Sequence, residues 1–282
     1  MLLGTTHMQS LPAPAIRNRE STTTVSDRLD PDTHAEIFHT IQTAALATTN
    51  PVEQPMAILL GGQPGAGKSR LARDAMNDLG GNAVNVDADE LRQFHPRYID
   101  MMRENDLTAS DRIHADAGPW ALALTRAAIT ARRNLVIDGT MRNADDLVAL
   151  CRSFREAGYH IEARVMAVSR LVSLLSIHER YKHQRQVMGF GRWVSCSHHD
   201  AAFAGVPLTV ERLEAYRLVD RMAIYARDSD APVYENRLEH GIWQQPPAGR
   251  THLDAERMQL EENSAGLRRL TGGTSDYAAK RD

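Results

Sequence analysis

The stretch MAILLGGQPGAGKSRLARDAM, Met56 to Met76, decides the fold. Within it, Gly62-Gln63-Pro64-Gly65-Ala66-Gly67-Lys68-Ser69 satisfies G-x-x-x-x-G-K-[ST] at every required position. At ordinary residue usage such a match arises by chance in roughly one in a hundred chains of this length. Its flanks add to it. MAILLGG is a short apolar run of the kind buried in a parallel sheet, and KSRLARDAMNDL is a helical pattern that stops at Gly80 and Gly81. Glycines let backbone N–H groups converge on phosphate oxygens with no Cβ in the way. The helix that starts near Lys68 aims its positive end at the same oxygens. Gly62 through Ser69 are therefore the candidate nucleotide site, with Lys68 on the β- and γ-phosphates of ATP and Ser69 on Mg²⁺. The plain alternative is a glycine-rich turn carrying an exposed lysine.

Outward from the loop the pattern alternates. NAVNVDAD reads as a second strand, AGPWALALTRAAITARR as a long helix that Pro119 starts or kinks, and NLVIDGT as a third strand. ADDLVALCRSFREAG is helical, YHIEARVMAV a fourth strand, and SRLVSLLSIHERYKHQRQVM helical again, with Leu171, Leu174, Leu175 and His178 on one face. A further helix is expected over TVERLEAYRLVDR and a terminal strand near APVYENR. Strands alternating with helices predict an α/β, P-loop kinase-like, three-layer fold with a mostly parallel central sheet flanked by helices. Residues 1–30, rich in Ser, Thr, Pro and Asn, read as a disordered or loosely packed lead-in. One domain is expected over 31–250, beginning with a brace helix over PDTHAEIFHTIQTAALA, and then a helix and frayed tail over 251–282. Trp120 sits on an apolar helical face and reads as core.

The bulk numbers exclude several classes. A net charge of −3 over 282 residues provides no basic stripe, so nucleic acid is not the expected partner. No apolar run approaches the roughly 20 residues that span a bilayer, and the N-terminus has no signal-peptide pattern. Cys151 and Cys196 form no CxxC pair, which suits a reducing, cytoplasmic setting.

Phosphoryl transfer also needs a group that takes the acceptor's proton. Asp87 and Asp89 fall at the end of the second strand, where ligands of open α/β sheets bind, and a period of two puts both side chains on one side if the strand continues. One of them can instead cap the helix at ELRQF. Asp89 is the candidate base. Asp138, closing the third strand, is the candidate second half of the magnesium site. Arg180 and Arg192, the latter after a flexible Gly-x-Gly on what reads as a mobile loop, are candidates for neutralising the transferring phosphoryl group. His95, His198 and His199 lack partners at metal-ligand spacing and read as polar packing or substrate contacts.

LLGGQPGAGKS, VDADELRQFHPRY, LVIDGTMRN, GYHIEARVMAV, SIHERY and GRWVSCSHHD occur in the order and approximate spacing of the zeta toxin family, which the chain resembles from Met56 to Asp200. The resemblance implies a P-loop kinase that is the toxic half of a toxin–antitoxin pair. It would use ATP to phosphorylate the 3′-hydroxyl of the amino sugar in UDP-N-acetylglucosamine and so block cell-wall precursor synthesis. It would be held inactive by a small helical antitoxin. It also implies that Lys68 is the loop lysine, Asp89 the base, and Arg180 and Arg192 the arginines around the phosphate. Asp138 (in place of the family's glutamate), Thr140 and Arg142 would lie on the acceptor side. The glutamate that the family carries on the long helix falls near Leu122, within WALALTR, which holds no acid. A nicotinamide dinucleotide or another nucleotide is therefore an alternative acceptor, and an NTP-binding antitoxin partner with weak catalysis a third reading.

Overall fold

The computed structural model describes residues 27–258; the expectations for residues 1–26 and 259–282 lie outside the described residues. The chain runs α1 (Pro31–Ala47), β1 (Met56–Gly61), α2 (Ser69–Asp78), β2 (Val84–Asp87), α3 (Ala88–Leu91), α4 (Tyr98–Glu104) and α5 (Ala109–Thr130). It continues with β3 (Leu135–Asp138), α6 (Ala144–Glu156), β4 (His160–Ala167), α7 (Arg170–Met188), α8 (Cys196–Ala215), β5 (Arg221–Ala226), β6 (Pro232–Glu239) and β7 (Ile242–Trp243). Residues 249–258 are again helical.

The seven strands form one sheet in the order β2-β3-β1-β4-β5-β6-β7. The first five are parallel, and β6 and β7 extend the edge antiparallel. The phosphate loop leaves β1 between β3 and β4, where successive crossovers go to opposite sides and open a crevice at the strand ends. The alternation along β1 explains the three layers. Ala57 and Leu59 enter a core shared with α1, α5, α6 and α8, whereas Ile58 and Leu60 enter a second core with Leu71 and Ala75 of α2. None of the described helices is long and apolar enough to cross a membrane.

α1 forms where expected. Asp30 caps it, accepting from Asp32 N at 3.1 Å and Thr33 N at 3.0 Å, with Pro31 in the first turn. The helix braces α5: Trp120 is fully buried, donates Nε1–H to His34 O at 3.1 Å and stacks on the His34 ring at 5.0 Å. Trp120→Ala is expected to cost about 3–5 kcal/mol, because the emptied site lies between two helices that cannot collapse together; urea unfolding with an unchanged slope measures it.

Four expectations are corrected. α5 begins at Ala109 and runs through Pro119 instead of starting there. α8 begins at Cys196, well before TVERL, and continues through Pro207. α8 ends at Ala215, short of the expected Arg221, and β5 follows where no strand was expected, its MAIYA run buried between β4 and β6. On α7 the buried positions are Ser173 and Ile177, while Leu175 and His178 are exposed. The cause is the phosphate loop, which lies on that face: a Cβ on Gly65, at φ +79°, would fall 2.1 Å from Ser173 O. Loop and helix approach so closely that the loop has no room for a side chain at Gly65.

Candidate active site

The carboxyl ends of β1, β2 and β3 open into a cleft of about 460 Å³, a volume usual for a small-molecule site. Pro64, Gly65, Gly67, Lys68 and Ser69 line it from the phosphate loop. Lys68 donates Nζ–H to Gly62 O at 3.1 Å and stands 3.8 Å from Asp138 Oδ1. Gly62 and Ala66 are buried within the loop. Gln63 is fully buried with its side chain turned away from the cleft, its Nε2 donating to Val168 O at 2.8 Å and Ser173 Oγ at 3.2 Å. Its side chain is thus a strut, and only its backbone belongs to the cradle.

The acids meet at the ends of adjacent strands. Asp87 and Asp138 are register partners in the parallel β2–β3 pair. The strand does not reach Asp89, which correction follows from capping: Asp87 ends β2 and its Oδ1 accepts from Asp89 N at 2.7 Å, starting α3. Asp87 is the cap, and Asp89 is the carboxylate of the pair that faces the cationic side chains of the cleft. Arg92 holds Asp89 Oδ1 at 2.8 Å and Arg192 holds Oδ2 at 3.1 Å. Burial alone raises the Asp89 pKa, but Arg192, Arg92, Lys68 and Arg180 outweigh it and hold the carboxyl below its ordinary range. Asp87 is pushed up to about 7 by burial, with Asp89 and Asp138 adding to it. Asp138 is also raised by burial, against the pull of Lys68. Of the three acids, Asp89 is the one whose pKa is lowered, by the cations around it.

Arg180 faces the same cleft, and burial with the nearby Arg192 lowers its pKa to about 10, leaving it a cation at neutral pH. The buried Nε atoms of Arg92, Arg180 and Arg192 make no hydrogen bond among the described residues. Three such donors around one carboxylate form a place for additional oxygen atoms.

The segment carrying Arg192 is pinned, contrary to the flexible loop expected. Gly191 N donates to Asp106 Oδ2 at 2.9 Å, Tyr181 Oη donates to Asp106 Oδ1 at 3.0 Å, and Arg192 N donates to Gln184 Oε1 at 2.8 Å. A Cβ on Gly191 would fall 2.6 Å from Tyr181 O, so the glycine permits close packing. Gly191→Ala is expected to displace the guanidinium and lower turnover by about 10²-fold while ATP still binds; steady-state kinetics beside an ATP titration check it.

At the far end of the cleft stand Thr140 and Arg142, on the segment after β3 whose Met141 O accepts from Thr209 Oγ1 at 2.7 Å. Arg142 Nη1 is hydrogen-bonded to His198 Nε2, and His198 Nδ1 is 3.8 Å from Asp111. Leu122 is 49% exposed and does not line the cleft. α5 presents Ser110, Asp111 and His114 from its first turns instead, because its later turns pass beneath the sheet. These three residues and Arg92 were missed from sequence; the only signal was their spacing, i, i+1, i+4 on a helix start and i+3 from Asp89.

His95 is corrected. It is buried away from the cleft, with Nδ1 accepting from Arg97 N at 3.2 Å and Nε2 at 3.3 Å from Asp27 O and 3.6 Å from Asp116. Its burial holds the ring neutral and packs the chain before α1 onto α5, so it is polar packing, not a substrate contact. His199 is likewise buried, against Ser173 and Asp200.

No group of three or more His, Cys, Asp or Glu is placed to hold a metal among the described residues. Ser69 and Asp138 supply one hydroxyl and one carboxylate to the cleft. That donor set suits Mg²⁺, which keeps several waters and takes its remaining oxygens from substrate phosphates.

Comparison with known proteins assigns the family. The Zeta toxin family model matches residues 40–239. Toxin PezT of Streptococcus pneumoniae serotype 4 is 30% identical over 186 residues, 66% of this chain and 73% of that toxin. Toxin zeta of Enterococcus hirae is 31% identical over 185 residues, 63% of this chain but only 62% of that toxin's length. Among solved structures, the PezAT chromosomal toxin–antitoxin system of S. pneumoniae superposes with a TM-score of 0.69 at 23% identity, covering 88% of this chain and all of that one. The AvrRxo1-ORF1:AvrRxo1-ORF2 complex with ATP superposes with a TM-score of 0.54 at 14% identity, covering 89% and 74%. The fold is that of P-loop kinases, and the chain belongs to the Zeta toxin family.

Proposed function

We propose that this chain is an ATP-dependent kinase, the toxin of a toxin–antitoxin pair, acting on the 3′-hydroxyl of the amino sugar in UDP-N-acetylglucosamine or a related UDP-sugar. The observation that carries the reading is the meeting of Lys68, an ionised Asp89 and the Arg180–Arg192 pair in one cleft at the strand ends. A carboxylate held ionised across from the phosphate loop is placed to take the proton of an attacking acceptor hydroxyl.

In the proposed reaction the phosphate-loop amides and Lys68 hold the β- and γ-phosphates of ATP. Asp89 accepts the hydroxyl proton as the acceptor oxygen forms its bond to the γ-phosphorus and the bond to the ADP oxygen breaks. Arg180 and Arg192 neutralise charge on the transferring group, and the unbonded Nε–H groups provide donors for it. Ser69 and Asp138 would hold Mg²⁺, which when bound neutralises the phosphate oxygens. Thr140, Arg142, Asp111, His114 and His198 face the acceptor end.

The helical partner is part of the proposal. The PezAT structure is of a toxin–antitoxin system, and the AvrRxo1 structure is a two-chain complex. A cytoplasmic setting goes with a nucleotide-sugar acceptor.

A specific observation favours a second acceptor. Leu122 faces away from the cleft, and α5 offers Asp111 and His114 in place of the family's glutamate. A nicotinamide dinucleotide, with its own diphosphate and ribose hydroxyls, is compatible with that end of the cleft. Incubation of the purified chain with ATP, Mg²⁺ and a panel of UDP-sugars, NAD and nucleosides, read by mass spectrometry, tests both. A phosphorylated UDP-sugar is the expected product, phosphorylated NAD selects the second reading, and unconsumed ATP across the panel overturns the kinase.

A further inference from the structure

The region matched by the family model ends at residue 239, yet the helical segment 249–258 reaches back into the phosphate loop. Arg257 is 4% exposed, and its Nη2 donates to Gln63 Oε1 at 3.0 Å across 194 residues of sequence. Its Nη1 donates to Phe203 O at 2.9 Å, and its guanidinium lies 4.1 Å from the centre of the Phe203 ring.

The Phe203 contact has a covalent cause. Pro207 lies inside α8 and has no N–H to give to the carbonyl four residues back, which is that of Phe203. Arg257 satisfies the acceptor that the proline frees. The guanidinium is thereby fixed by a carbonyl and a ring, with its remaining fork directed at the phosphate loop.

Gln63 is constrained from both ends. Its Nε2 faces Val168 O, which can only accept, and its Oε1 faces Arg257, which can only donate, so one orientation of the amide satisfies both. Ser173 Oγ accepts from the same Nε2 and lies 2.8 Å from His199 Nε2. His199 Nδ1 lies 2.9 Å from Asp200, which in turn pairs with Arg170. A carboxylate cannot donate, so His199 carries a proton on Nδ1, while the one Ser173 hydroxyl hydrogen has His199 Nε2 at 2.8 Å and the carbonyls of Ser169 and Arg170 at 3.0 Å as acceptors. Gln63, Ser173 and His199 are fully buried, so this part of the network is closed to water and only its Asp200–Arg170 end reaches solvent.

We propose that Arg257 is a positioning residue for the phosphate loop, which it holds in phosphate-binding geometry through the Gln63 side chain. The proposal rests on the loop being the nucleotide site, and its test includes a readout without nucleotide. In the nucleotide-free protein, Arg257→Ala is expected to raise amide hydrogen exchange across residues 61–69 by about tenfold, the scale of one lost hydrogen bond to a charged group. Exchange in α5 and β5 should stay unchanged, and ATP affinity should fall by a similar factor. Gln63→Ala should loosen the same residues, and the double variant should be no looser than either single one. Arg257→Lys keeps the charge and the stem over Phe203 but cannot bond both carbonyls, and should be intermediate. Arg250→Ala, on the same segment but exposed and paired with Glu211, should change neither readout. Unchanged exchange at 61–69, a uniform rise over the whole domain, or additive effects in the double variant would overturn the role of Arg257. Wild-type protein that fails to bind ATP would instead overturn the nucleotide reading, and the exchange data would still decide the first.

Discussion

Asp89→Asn is expected to lower turnover by about 10²–10⁴-fold, the usual contribution of a positioned base, with ATP binding retained or tightened. The amide keeps the shape of the side chain but cannot take the acceptor's proton. It also removes the negative charge that Arg92 and Arg192 hold at 2.8 and 3.1 Å. Those cations, with Arg180 nearby, are then free to face the phosphates of ATP, so ground-state affinity has no reason to fall. A discontinuous assay of acceptor phosphorylation beside calorimetric titration of ATP separates the two quantities. Near wild-type turnover would remove Asp89 from the role of base. Loss of ATP binding in step with turnover would make it a nucleotide ligand instead.

Arg180→Ala is expected to cost about 10³-fold in turnover, at the lower end of what an arginine on a transferring phosphoryl group contributes. Arg180 remains cationic despite burial, and its Nε has no hydrogen-bond partner among the described residues. A buried cation with an unmet donor is a standing cost in the free protein, offset only when an anion arrives. The variant should therefore be at least as stable as the wild type in thermal unfolding while being far slower. Arg180→Lys should recover only part of the rate, because an ammonium keeps the charge and loses the planar fork. An alanine variant that loses stability and activity together would identify Arg180 as structural.

Some of this was legible from single strings. The phosphate loop has a strict spacing because backbone amides, lysine and hydroxyl must converge on one group of oxygens, so Gly62 to Ser69 could be read without neighbours. The start of α1 at Asp30 and Pro31 followed from local capping. Other features had no local signal. β5 was hidden because a short apolar run after a helix has the same composition as that helix's last turn. His95 looked available in FHPRY and is instead held by Asp27 and Asp116, distant in sequence. Gly191 looked like a hinge, but Tyr181 and Asp106 make it a packing glycine.

The sequence by itself determined the α/β alternation, the phosphate cradle with Lys68 and Ser69, and the candidate set of Asp89, Asp138, Arg180 and Arg192. The alternation and the cradle depend on spacing within a few residues or on the period of one element, and the arginines on the family resemblance of SIHERY and GRWVSCSHHD. Only the tertiary structure decided that Asp87 caps while Asp89 stays ionised, and that Arg92 shares the clamp on it. Only the tertiary structure, too, turned Leu122 away while bringing Asp111, His114 and His198 into the cleft, and closed Gln63 against Arg257. Charge states and acceptor contacts depend on which groups lie within a few ångströms through space, and in a parallel sheet those neighbours come from crossovers tens of residues apart.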